Sequence, residues 1–220
     1  MNSKVLVYVE GPSDKASLYA LLAPVIAMKA QEGISIRFFE TPPGDRKESV
    51  LTKVPIKAAN ILINDPHSIV VAMPDLYLRN KGFPHENYAE LVQGMNRIFD
   101  EALTAKGQAD RPNCKERFKV FCLKYDLEAL VLAATESLKN RLGVRSMPIK
   151  WRIPVEDQNH DCPPKRVVEA LYESYGKRYR DTVDAPIILG ASNYQEIAQK
   201  CNQCFMPFVN FLNALTNETV

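Results

Sequence analysis

The stretch VLVYVEGPSDKASLYALL, Val5 to Leu22, decides the fold. An apolar, β-branched run ends in an acid at Glu10, and Gly11-Pro12 then breaks the strand. Ser13 stands as the N-cap of a helix that carries Leu18, Leu21, Leu22 and Val25 or Ile26 on one face, with Pro24 expected to bend it. A buried strand that passes at once into an amphipathic helix opens a βα unit. Glu10 and Asp14 are thereby placed one helical turn apart at the carboxyl end of the strand, a position from which both can face one point.

The chain beyond repeats the alternation. ISIRFFE reads as a second strand, and Lys47 to Asn64 is helical in periodicity apart from Pro55. Asp65-Pro66 ends that helix before the buried-looking strand SIVVAM. A polar loop with Asn80, Gly82 and Pro84 leads to an amphipathic helix from about Asn87 to Lys106, with Leu91, Met95, Ile98, Phe99 and Leu103 as its core stripe. RFKVFCLKY is the fourth strand, and the helix after it, near Leu127 to Leu142, stops at Gly143. From Val144 to Pro164 the pattern loosens into a short strand, IKWRIP, and a long loop. KRVVEALYESYGKRY and YQEIAQKCNQCFMPFVNFLNAL are helical in character. The expected fold class is α/β, a mainly parallel sheet of four to five strands flanked by helices. Residues 1–143 form its core, and a loop and helical segment, 144–220, packs on that core as part of a single domain.

Composition narrows the function. The chain of 220 residues is 46% hydrophobic and 25% charged with a formal net charge of +2, so any nucleic-acid partner must be met by a local basic patch. Five cysteines scattered through the chain argue for reduced thiols. The N-terminus lacks the layout of a signal peptide, and the longest apolar stretch, Ala16 to Met28, contains Pro24 and is shorter than a membrane span. A soluble, cytoplasmic protein with no membrane partner is expected.

Ligand sites of open parallel sheets lie beyond the carboxyl ends of the strands. Glu10 ends the first strand, Asp75 the third, and Asp126 and Glu128 follow the fourth. Acids gathered on one rim repel one another unless a cation sits between them, and Mg²⁺ or Mn²⁺ suits oxygen donors of this kind. Plainer roles are open for each: Asp14 at a first helical turn, Asp75 starting the turn PDLY, Asp126 capping the helix that carries Glu128. His160, Asp161 and Cys162, with Cys201 and Cys204, lack a full set of zinc ligands at finger-like spacing, and packed free thiols are the better reading. Lys177 to Arg180, KRYR, is a basic cluster that a solvated helix face explains as well as a binding groove does.

VYVEGPSDKASL resembles the first motif of the Toprim domain, the catalytic module of topoisomerases, bacterial primases and the nucleases of the overcoming-lysogenization-defect group. That similarity covers about the first 130 residues. A narrower resemblance, almost end to end, is to the Toprim-like bacterial family catalogued as domain of unknown function 4276. VVAMPDLY followed by GFP is similar to its strand, Asp-x-Tyr and Phe-Pro; KYDLEALVLA to its His-Glu-x-Glu-Ala-Leu-Leu segment; PVEDQNHDCPPKRVVEAL to its Glu-x-x-Asn loop and Pro-x-Lys-Arg. Two positions depart from the pattern. Toprim enzymes usually carry Asp-x-Asp where this chain has Asp75 and Tyr77, and the usual His is Lys124, with Asp126 in place of a common Glu.

The resemblance implies a Mg²⁺- or Mn²⁺-dependent nuclease, acting on DNA more readily than RNA, in anti-phage defence or DNA repair. Glu10, Asp75 and Glu128 would be catalytic, Glu10, Asp14, Asp75, Asp126 and Glu128 would hold the ion, and Lys15, Lys165 and Arg166 would hold the nucleic-acid backbone. A partner ATPase encoded nearby is implied as well. No tyrosine nucleophile of topoisomerase type is assignable, which favours hydrolysis over strand passage. The rival is a degraded Toprim module that binds nucleic acid or the ATPase without cutting.

Overall fold

A computed structural model describes residues 3–77, 82–109, 111–148, 151–152, 154–157 and 162–216. Four strands, β1 (Ser3–Val9), β2 (Ile34–Glu40), β3 (Ser68–Met73) and β4 (Phe118–Val120), form one sheet in the order β2-β1-β3-β4, and every pair is parallel. This is the α/β architecture that the sequence leads one to expect. Alternation along β1 sends Val5, Val7 and Val9 to one core and Leu6 and Tyr8 to another. A sheet buried on both faces needs helices on both.

The first connection is made by α1 (Pro12–Leu21) and α2 (Ala23–Gln31), which meet at Leu22; Pro24 starts the second helix instead of bending one long one. Between β2 and β3 run α3 (Arg46–Glu48), a π-helical turn (Ser49–Lys53) and α4 (Val54–Asn64). The π-turn, closed by Val54 N–H on the Ser49 carbonyl, lets the helix pass into Pro55 without a break. Helices α5 (Tyr88–Thr104) and α6 (Pro112–Arg117) lead to β4, with Asn87 capping α5 through its side chain. The expected helix after β4 is two, α7 (Glu128–Ala133) and α8 (Thr135–Leu142), broken at Ala134 and ended by Gly143 at φ 73°. Then come a 3₁₀ turn (Val155–Asp157), α9 (Pro164–Ser174), α10 (Asp181–Gly190), α11 (Tyr194–Lys200) and α12 (Phe205–Ala214).

The two helical layers are unequal. Leu62 of α4, Met95 and Phe99 of α5 and Cys114 of α6 cover one face. Leu18 of α1, Val25 of α2, Leu130 of α7, Val168 of α9, Ile188 of α10 and Phe208 of α12 cover the other in one continuous core. Helix α10, which the sequence pattern does not announce because Pro186 and two glycines punctuate its neighbourhood, packs against α1. The strand expected at IKWRIP does not form at Trp151 and Arg152; Ile149, Lys150 and Ile153 lie outside the described residues, as do Asn80, His160 and Asp161. The fourth strand is shorter than RFKVFCLKY, since Arg117 ends α6 and turns inward to donate to the carbonyls of Leu62, Asp65 and Ser68, each at 2.8 Å. Among the described residues no helix is long and apolar enough to cross a membrane.

Gly94 shows how tightly the second layer closes. A Cβ built there meets the Phe83 ring at 2.2 Å. Gly94→Ala therefore opposes a helix-propensity gain of about 1 kcal/mol with an overpacking penalty of about 1–3 kcal/mol, and a net loss is expected in urea unfolding. A midpoint at or above that of the wild-type protein would show that Phe83 moves aside freely.

Candidate functional site

Strand order reverses between β1 and β3: the chain leaves β1 for β2 on one side and returns to β3 on the other. The crevice of a parallel sheet opens at such a switch point, and Glu10 and Asp75 follow those two strands. The Glu10 carboxylate accepts the Asp75 backbone N–H at 2.9 Å, which ties the ends of β1 and β3 together. Thr41, just past β2, donates its hydroxyl to the Glu10 carbonyl at 2.8 Å. On the other side Asp75 bridges to Leu123, and Leu76 N–H donates to the Leu123 carbonyl at 2.7 Å, so pairing continues beyond β4 toward Asp126.

Asp14 is the third residue of α1 and accepts the Gly11 N–H at 2.8 Å; Gly11, not Ser13, is the N-cap. The Ser13 hydroxyl is buried without a partner. A side chain at Gly11 would press on the Arg46 guanidinium, whose charge lies near Asp14. Asp126 does not simply cap α7. Its Oδ2 accepts the backbone N–H of Lys165 in the first turn of α9 at 3.2 Å and the Glu128 N–H that opens α7 also lies against its carboxyl, while Oδ1 is buried with no well-aligned hydrogen bond. Glu128 opens α7, is 3% exposed, and accepts the Tyr179 hydroxyl at 3.1 Å.

Burial and proximity leave a clear electrostatic mark. Burial lifts the Glu10 carboxyl from 4.5 to about 7, and the charges of Asp14 and Asp45 add to it against Lys47. Burial is also the main cause for Asp14 and Asp126, each lifted from 3.8 to about 6, and for Glu128, lifted from 4.5 to about 8 with Asp126 as the chief repelling charge. Asp75 is pushed well above the usual carboxylate range by burial and by Glu10, Asp14 and Asp126. All five sequence-predicted acids thus share one electrostatic neighbourhood. Two lysines join them. Burial lowers Lys47, whose ammonium also donates to the Tyr77 carbonyl, and Glu10 and Asp75 pull it back up. Lys165 is ion-paired to Asp181 at 2.8 Å and counters the charge of Asp14, Asp126 and Glu128.

The remaining predicted residues sort differently. Lys15 is exposed, faces Glu40 at 3.5 Å and lines a groove between α1 and β2. Arg166 is exposed on α9. Cys201 and Cys204 are buried free thiols in the turn between α11 and α12, not inside a helix. Sequence reasoning missed Lys47, Tyr179 and Asp181, which have no motif spacing to mark them. It also missed the buried Glu156, whose carboxylate takes the backbone N–H groups of Gln203, Cys204 and Phe205 and so holds the start of α12.

Oxygen donors, mutual repulsion and the orphaned Asp126 Oδ1 suit a hard divalent cation. Among the described residues no three His, Cys, Asp or Glu side chains converge closely enough to hold an ion by themselves. The fit is therefore to an ion held by one or two carboxylates, with water and a substrate phosphate completing its shell. Tyr77 stands where the second acid of Asp-x-Asp would be, and its ring packs on Tyr125 at 4.9 Å.

The family model described as Domain of unknown function (DUF4276) matches residues 9–213. No curated protein matches the chain. Among solved structures, the C-terminal region of the Burkholderia pseudomallei OLD protein aligns with it at 14% identity and a TM-score of 0.46, over 97% of this chain and 98% of that one.

The raised carboxyls set a sign for stability. Each keeps its proton in the folded chain at pH values where the unfolded chain has lost it, so between about pH 4 and 8 the folded state binds more protons and stability falls as pH rises. One pKa unit corresponds to about 1.4 kcal/mol, and the metal-free protein should lose at least about 2 kcal/mol between pH 5 and pH 8 in denaturant titrations. Glu10→Gln should flatten that loss. A pH-independent midpoint would mean that neither burial nor mutual repulsion raises these acids in the folded chain.

Proposed function

The chain belongs to the DUF4276 family, and from that premise we propose that it is a Mg²⁺- or Mn²⁺-dependent nuclease of Toprim type. The observation that carries this reading is the buried carboxylate neighbourhood at the switch point, with its unpartnered Asp126 oxygen. Glu10, Asp75, Asp126 and Glu128 are the ligands to draw on, with Asp14 beside them. When bound, the ion supplies Lewis-acid charge to a phosphoryl oxygen and acidifies water.

The chain's own residues do the rest. Glu10, lifted to about 7, can take or give a proton near neutral pH, which is what general acid–base work asks of a carboxyl. Its backbone bond from Asp75 fixes its orientation. Tyr179 holds one Glu128 oxygen and leaves the other to a ligand. Lys47 and Lys165 bring fixed positive charge to a rim that would otherwise repel a phosphodiester. DNA is the favoured substrate, and action in defence or repair beside a partner ATPase belongs to the same reading.

A second reading, a module that binds without cutting, is favoured by Tyr77 and by the lack of three converging ligands among the described residues. Purified protein should cleave single- or double-stranded DNA in Mg²⁺ or Mn²⁺, and Glu10→Gln and Asp75→Asn should each slow it by about 10²-fold or more. Equal rates in all three would identify a contaminant, and no cleavage with either metal, alone or with the ATPase, would leave the binding module.

A further inference from the structure

The basic cluster at Lys177–Arg180 lines an open cavity whose floor is made by α8, α9 and α10. Gly176, at φ 65°, ends α9 and turns the Lys177 N–H back to the Tyr172 carbonyl at 2.9 Å. The segment then runs without helix to Arg180, which is extended at φ −129° and ψ 101°. Tyr179 reaches Glu128, and Asp181, at the start of α10, reaches Lys165. Arg178 and Arg180 instead line a cavity of about 510 Å³ with Arg141, Tyr172, Lys177 and Asp184.

The floor of this cavity is fixed. One oxygen of the buried Asp184 takes two nitrogens of Arg141 at 2.8 and 2.7 Å, and the other takes the Arg180 N–H at 2.7 Å. Lys177 donates to the Leu142 carbonyl at the end of α8. The side chains of Arg178 and Arg180 have no hydrogen bond or ion pair among the described residues. The Tyr172 ring stands edge-on to Tyr179 at 5.1 Å in a residue only 3% exposed, and its buried hydroxyl, beside the Arg141 guanidinium, has no acceptor for its own proton. Four cations face a single carboxylate, and a buried donor lacks an acceptor. Such groups call for an anionic oxygen ligand.

The geometry points to a phosphate-binding subsite in which Arg141, Tyr172, Lys177, Arg178 and Arg180 hold a backbone phosphodiester of the nucleic-acid strand that the carboxylate centre acts on. Arg178 and Arg180 flank Tyr179, whose hydroxyl touches Glu128, so the subsite is joined to the carboxylate centre through one residue of the same segment. A polyanion brought to five clustered acids needs cations at its flank, and a net charge of +2 supplies them only locally. The identity of the ligand rests on the nuclease reading; the cationic cavity does not.

The test is fluorescence anisotropy with labelled single-stranded and duplex oligonucleotides, without divalent metal, in a Glu10→Gln background over about 50 to 200 mM salt. Arg178→Ala/Arg180→Ala should weaken binding at least about tenfold and flatten the slope of log K against log salt by about 1.4 for single strands and 1.8 for duplex. Tyr172→Phe should weaken binding several-fold while its melting temperature stays level or rises, which loss of a structural hydrogen bond would not produce. Wild-type affinity and slope in the double variant would overturn the subsite, as would an acidic peptide that binds the cavity when oligonucleotides do not. Arginine-dependent binding by a protein that cleaves nothing would sink the nuclease reading alone. Cleavage whose KM ignores both arginines would sink the subsite alone.

Discussion

The crowding of five carboxylates on one rim, Glu128 buried and the other four partly so, is the constraint around which the structure is arranged. Desolvation and repulsion both oppose it, and four of the five acids are held by a donor that tolerates their charge. Gly11 N–H serves Asp14, Asp75 N–H serves Glu10, Lys165 N–H serves Asp126 and the Tyr179 hydroxyl serves Glu128. These bonds join segments separated by as many as 65 positions in sequence. Loss of any one donor would leave its acid less compensated and loosen the strand end or helix start that carries it.

The C-terminal helices belong to that arrangement. Helix α9 presents its first turn to Asp126, the favourable end of its dipole, while Lys165 in the same turn pairs with Asp181 at the start of α10. Helix α10 in turn packs on α1, which carries Asp14. The acids that follow the strands are thus held partly by backbone and side chains from the C-terminal helices. The π-turn between α3 and α4 does comparable work on the other flank, where Lys47 one turn earlier reaches the Tyr77 carbonyl beside Asp75.

What could be read in the sequence follows from the range of the forces involved. Strands β1 to β3 and helix α5 carry periodicity that their burial reproduces, and Gly143 and Asn87 mark helix ends by local chemistry. Glu10 and Asp75 were legible because topology alone sends strand ends to one edge. Ser13 misled because Gly11 and Asp14 satisfy the helix start between them. The inward turn of Arg117 depends on a carbonyl 49 positions away. Lys47 and Tyr179 were invisible for the same reason: their roles are set by neighbours far along the chain.

On the nuclease reading, the exchange of a second acid for Tyr77 alters how charge is balanced at the centre. A pair of metal ions would bring four positive charges to the rim and would need acids on both sides of the crevice. Here the Tyr77 ring packs on Tyr125 and its carbonyl holds the Lys47 ammonium, so the place beside Asp75 is taken by an aromatic surface and a fixed cation. An ammonium cannot polarise a phosphoryl oxygen as a divalent ion does, but it neutralises Glu10 and Asp75 without occupying their ligand positions. On that reading one ion, held by one or two of the carboxylates, is the charge that the rim would balance, since Lys47 already counters Glu10 and Asp75.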